Sequence, residues 1–166
     1  MRSICFTGHR SMPRDDTTLN NTLKNVITNC IMSGTSDFYS GGAAGFDTAA
    51  ARTVLKLKKS YPIKLHLVLP CNNEEQTLKM NIDEKAEFMN VLALADSIEY
   101  TSEHCDNNCM KKRNLRLVEY ADICICFLNE NRKRSGTSQT VNFARKKGIE
   151  IINIYTAQKT AYKPMQ

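Results

Sequence analysis

Three short segments hold the residue types that handle anions. Ser40-Gly41-Gly42-Ala43-Ala44-Gly45-Phe46-Asp47 packs three glycines and two alanines into a turn ahead of an amphipathic run. Small side chains there let backbone N–H groups at a helix start point at a phosphate or carboxylate. Asp47 falls where a first helical turn would be, so it either caps orphan N–H groups or meets a ligand. The segment is neither a dinucleotide fingerprint nor a Walker loop, because no Gly-Lys-Ser/Thr follows. An acidic side chain at Gly42 should therefore repel a phosphate while sparing the fold.

A second cradle of the same kind is Ser135-Gly136-Thr137-Ser138-Gln139-Thr140. It can be an anion loop or simply a capped helix start. The third segment, Thr7-Gly8-His9-Arg10, puts a glycine, an imidazole and a guanidinium at the end of an apolar run. His9 and Arg10 could address an anion through charge-assisted hydrogen bonds, or His9 could be a hydrogen-bonded structural residue. Lys111-Lys112-Arg113-Asn114 adds cations and an amide upstream of the second cradle. His104-Cys105 and Cys109 make at most half a zinc site, with no second cysteine pair at ligand spacing, so no metal and no cofactor is expected.

The elements that must carry these segments alternate along the chain. Apolar or β-branched runs at 3–6, 37–40, 63–69, 97–100, 123–128 and 150–155 read as strands. Between them lie helical stripes: Leu19, Leu23, Val26, Ile27, Cys30 and Ile31; Phe46, Ala50, Val54 and Leu57; Phe88, Met89 and Leu92; Met110, Leu117, Val118 and Ala121; Val141 and Ala144, ending at Gly148. Six strands alternating with helices predict an α/β, Rossmann-like, mostly parallel sheet with helices on both faces. Ile123–Leu128 is apolar at both parities, as a strand buried on both faces must be. In such sheets ligands bind beyond the carboxyl ends of the strands, where the three segments fall.

Composition narrows the class. The 166 residues carry net charge +6, are 42% hydrophobic and suit one domain over 4–156 with a polar tail at 157–166. No apolar run reaches the ~18 residues of a membrane span, and the start is too soon polar for a secretory leader. Seven cysteines, an odd number, suggest free thiols in the cytoplasm. Residues 1–110 are net −2 and residues 111–166 net +8, an asymmetry that suits a polyanionic partner.

Together, "CFTGHR", "YSGGAAGFD", "LPCNNEEQ", "KRN" and "SGTSQTVNFARKKG" resemble the SLOG superfamily in order and spacing, and most nearly its YpsA-like single-domain branch. The superfamily also holds the DNA-processing protein DprA and the LOG-type nucleotide phosphoribohydrolases. The resemblance implies a pocket for a nucleotide-derived ligand. Its loops would be Gly8–Arg10; Ser40, Gly41, Gly42, Ala43 and Gly45 with Asp47; Glu75-Gln76; Arg113-Asn114; and Ser135-Gly136-Thr137. LOG-type hydrolases carry Gly-Thr-x-x-Glu, and here Thr140 stands at the glutamate position. Threonine is no general base near neutral pH, so binding is expected ahead of N-glycosidase activity. If there is turnover, Glu75 is the candidate catalytic carboxylate. Single-stranded nucleic acid is a further, less favoured partner, since the basic runs lack interleaved aromatics. A homodimer is what related proteins suggest.

Overall fold

A computed structural model describes residues 1–12 and 16–155; the 157–166 tail lies outside them. In chain order the elements are β1 (Arg2–Gly8), α1 (Thr17–Met32), β2 (Thr35–Ser40), α2 (Phe46–Leu57), β3 (Lys64–Leu69), α3 (Asn73–Thr77), α4 (Ile82–Leu94), β4 (Ser97–Tyr100), α5 (Cys109–Tyr120), β5 (Ile123–Phe127), α6 (Gly136–Lys147) and β6 (Glu150–Asn153).

Local chemistry starts and stops these elements. Asp16 caps α1 by accepting from the Leu19 N–H at 2.9 Å. Asn81 and Glu84 form a reciprocal capping box on α4, and Ser135 and Ser138 form another on α6. Gly148, at φ 76°, closes α6 in the left-handed conformation that favours glycine. β6 ends at Asn153, two residues short of the expected run. The Asn153 side chain accepts from the Leu128 N–H and donates to the Leu128 carbonyl, which ties it to the strand alongside.

All six strands are parallel, in the order β4-β3-β2-β1-β5-β6. Side-chain parity splits the core in two. Ile4, Phe6, Phe38, Leu65, Leu67, Leu69, Ile123 and Ile125 pack with α1, α2 and α4. Cys5, Val68, Cys124 and Cys126 face the other way, onto α5 and α6. β5 therefore serves both cores, which explains its unbroken apolar run. The α4 stripe differs from expectation at one residue. Phe88 and Val91 are buried, but Met89, one residue round the helix from Phe88, is 46% exposed. The five-residue α3 buries no side chain, so it left no periodic signal. Among the described residues no helix is long and apolar enough to cross a membrane.

The chain runs outward from β1 to β4 and then returns to place β5 on the other side of β1. Loops leaving β1 and β5 diverge at that reversal and open a crevice at their carboxyl ends.

Candidate functional site

A cavity of about 550 Å³ lies in this crevice. Gly8, His9 and Arg10 reach it from β1, Ala43 and Asp47 from the β2 loop and α2, Arg113 and Asn114 from α5, and Ser135, Gly136 and Thr137 from α6. A second cavity of about 520 Å³ adjoins it and shares Arg10, Ala43 and Arg113. Gly41, Gly42 and Glu75 line the second cavity only. Ser40 and Thr140 are fully buried and line neither. Gly45 opens onto a smaller pocket beside α1 and α4.

Asp47 and Arg113 form the floor common to the two loops. Their side chains are 6% and 7% exposed and approach to 3.8 Å. Arg113 donates to the Gly41 carbonyl and the Ala43 N–H donates to the Asp47 carboxylate, yet Arg113 Nε and Asp47 Oδ1 are buried without a partner among the described residues. Such orphaned polar atoms are costly in a finished interior. Burial pushes the Asp47 carboxyl up to about 6, against the pull of the Arg113 guanidinium. Burial likewise lowers the Arg113 pKa, opposed by Asp47. Asp47 makes no capping bond to α2, whose cap is Gly45. It is a pocket carboxylate.

Of the two parts open to His9, its bonding is that of the hydrogen-bonded structural residue. Its Nε2 accepts the Asn129 N–H at 3.0 Å, so that nitrogen carries no proton. Burial and the nearby Arg132 both lower its pKa. The neutral ring ties the loop after β1 to the loop after β5, and so holds the crevice at its width.

The glycines of the β2 loop have internal reasons to be glycine. A Cβ on Gly41 would collide with the Arg113 guanidinium, and one on Gly45 (φ 84°) with backbone atoms of His9 and Arg10. On Gly42 (φ 71°) it would strike Leu69 and Phe88, side chains of the core. An acidic side chain there would enter apolar packing, so Gly42→Asp is no clean probe of phosphate binding. Gly8 admits Phe46 in the same way. Ser40 donates to the Asp47 carbonyl at 3.3 Å and stays internal.

The α6 start is freer. Ser135 and Ser138 satisfy each other's N–H groups, at 3.0 and 2.9 Å. Helix geometry leaves the Gly136 and Thr137 N–H groups without an intrahelical acceptor, and both residues line the first cavity. A Cβ on Gly136 would meet only the Asn114 amide, at an ordinary 3.9 Å. Asn114 in turn donates to Gln139 at 3.2 Å, bracing α5 against α6. Thr140 turns its hydroxyl back to the Gly136 carbonyl at 3.0 Å. Arg132 and Gln139 also line the cavity. Gln139 lies one helical turn beyond Ser135, a spacing from which it could have been read.

Glu75 is held fast. Its carboxylate accepts from Asn72 at 2.7 Å, His104 at 2.9 Å and the Cys105 N–H at 2.7 Å. The His104 bond, then those of Asn72 and Cys105, lower its pKa to about 2. A carboxylate so stabilised is a poor proton carrier near neutrality. The sulfur chemistry also departs from seven free thiols: the β3 and β4 loops bring Cys71 and Cys105 together, Cα to Cα 5.1 Å, in a disulfide. In the basic runs Lys147 is engaged internally, its Nζ donating to the Val118, Glu119 and Ala121 carbonyls at 2.9 Å each.

Comparison with known proteins bears on the family and the fold. The family model YpsA, described as the YspA SLOG family, matches residues 4–158. The X-ray structure of TM1055, a structural-genomics target, superposes with a TM-score of 0.58 at 12% identity, covering 91% of this chain and 72% of that one. That likeness is one of fold. No curated protein matches the chain.

Proposed function

We propose that this chain, which belongs to the YspA SLOG family, binds a nucleotide-derived ligand in the crevice between β1 and β5. The observation that carries this reading is the Asp47–Arg113 floor. Two ionisable side chains, each more than nine-tenths buried, line an open cavity, while their Oδ1 and Nε atoms have no hydrogen-bond partner among the described residues. A ribose hydroxyl donating to Asp47 would satisfy one of them. A phosphate fits the other end, at the Gly136 and Thr137 N–H groups, where a helix start favours negative charge. Arg10 and Arg132 also line the cavity and add positive charge. The ligand class is thus an anion with a sugar diol, such as a nucleoside monophosphate, ADP-ribose or NAD.

Calorimetric titration with those compounds and with inorganic phosphate tests this. Asp47→Asn should weaken the ribosylated ligands about tenfold, about 1.4 kcal/mol, and leave phosphate binding nearly unchanged. Failure of every nucleotide to bind, or equal affinity in Asp47→Asn, would overturn the reading.

One observation favours a second reading, cleavage of the N-glycosidic bond. A carboxyl with a pKa of about 6 can both give and take a proton near neutrality, and Asp47 has one. Glu75, at about 2, cannot. Chromatography of the incubated ligand would then reveal free base, lost in Asp47→Asn and retained in Glu75→Gln. A ligand recovered intact leaves binding alone.

A further inference from the structure

The second cavity has a wall of sulfur. Cys71 follows β3, Cys105 sits in the loop after β4, and Cys109 opens α5. Residues from three separate segments thus bring their Sγ atoms within 4.8 Å of one another. Tetrahedral zinc with Zn–S of ~2.3 Å sets its thiolates about 3.8 Å apart, so once the Cys71–Cys105 bond is reduced those two sulfurs must part by ~1.7 Å to form the set with Cys109.

The surroundings hold these sulfurs in place. Glu75 accepts the Cys105 N–H and the neighbouring His104 ring, fixing the loop that carries one ligand. Asn72 donates to the Glu103 carbonyl at 3.0 Å, and Gln76 to the Cys71 carbonyl, so α3 pins both loops. Metal sites need such partners behind their ligands. Cys71 and Cys109 are buried, whereas Cys105 is exposed, and Cys105 and Cys109 line the cavity.

We propose that Cys71, Cys105 and Cys109, in the reduced protein, bind one zinc ion with the fourth position open to the second cavity. A cellular dithiol reduces the Cys71–Cys105 disulfide and is itself oxidised to its own disulfide. The three resulting thiols then release three protons as Zn²⁺ takes their thiolates. Three protein ligands with an open position are the pattern of zinc sites that accept an outside ligand. Glu75 is a positioning residue here, acting through the Cys105 loop. The inference is independent of nucleotide binding and stands or falls separately.

The test uses the full chain, reduced with a non-thiol phosphine and titrated anaerobically with Zn²⁺ and with Co²⁺ as a spectroscopic substitute. One equivalent of tightly held ion is expected, with intense sulfur-to-cobalt absorption in the near ultraviolet. Cys105→Ser, an exposed position that circular dichroism can verify as folded, should lower zinc affinity at least tenfold and weaken that absorption. Cys109→Ser should do the same, while Cys30→Ser, on α1, should change neither. Prior oxidation of the Cys71–Cys105 pair should block uptake. Four outcomes overturn the assignment: no retained equivalent, a cobalt complex without thiolate absorption, unchanged affinity in Cys105→Ser, or an iron–sulfur chromophore in place of zinc.

Discussion

The loop after β2 and the loop before α6 look alike on paper, both small-residue turns between a strand and a helix. In space they differ. Every glycine of the β2 loop makes room for another part of the protein: the Arg113 guanidinium at Gly41, Leu69 and Phe88 at Gly42, the His9 and Arg10 backbone at Gly45. The α6 loop has one glycine, Gly136, and nothing crowds it. Glycine enrichment therefore marks close approach without saying what approaches. The β2 loop is a packing device that seats Arg113, whereas the α6 loop offers its backbone to solvent. The anion end of the proposed site accordingly lies at the second.

Substitutions can break that contrast. Gly42→Asp combines a left-handed backbone with a side chain forced between Leu69 and Phe88. It should destabilise the fold by ~3 kcal/mol or more, read in denaturant titration. A folded Gly42→Asp protein of normal stability would return the β2 loop to the binding site.

Next in size is a pH effect at the floor that the β2 loop builds. Asp47 keeps its proton to about pH 6 when folded, against an ordinary value of 3.8. Between those values the folded state holds a proton that the unfolded chain has lost. Raising the pH through this window should therefore cost stability, by about 3 kcal/mol in all, with no further loss from Asp47 above pH 6. Wild type minus Asp47→Asn isolates this slope from the opposite contribution of Glu75, which is lost as the pH falls from 4.5 towards 2. Parallel profiles for the two proteins would mean that Asp47 is not the buried acid described.

The smallest effect is expected at the α6 loop. Gly136→Ala should shift stability by no more than ~0.5 kcal/mol, while its methyl group narrows the cavity and lowers ligand affinity several-fold. A large loss of stability there would erase the distinction between the two loops.

Sequence reasoning reached the sheet readily because short apolar, β-branched or aromatic runs alternate with helical stripes, and β5 is apolar at both parities. It could not reach α3, which buries nothing. It also passed over Cys71, which lies 34 residues from Cys105 and joins it only because neighbouring parallel strands end side by side. The residues around the crevice were within reach as types, but their roles were not. His9 could address an anion or brace a loop until Asn129 is found donating to it, and Glu75 looks like a free acid until three donors are counted. Asp47 looks like a helix cap until Gly45 is seen in that place. Each role depends on a partner remote in the chain, and spacing carries no record of it.

Lys147 has a mechanical consequence. By donating to three carbonyls at the end of α5 from the last turn of α6, it fastens the two helices at the ends remote from the crevice, while Asn114 and Gln139 fasten them near it. A beam joined at both ends tilts as a whole or not at all. The wall carrying Arg113, Asn114, Gly136 and Thr137 is therefore one rigid unit, in which the two helices keep their mutual spacing along the whole side of the crevice.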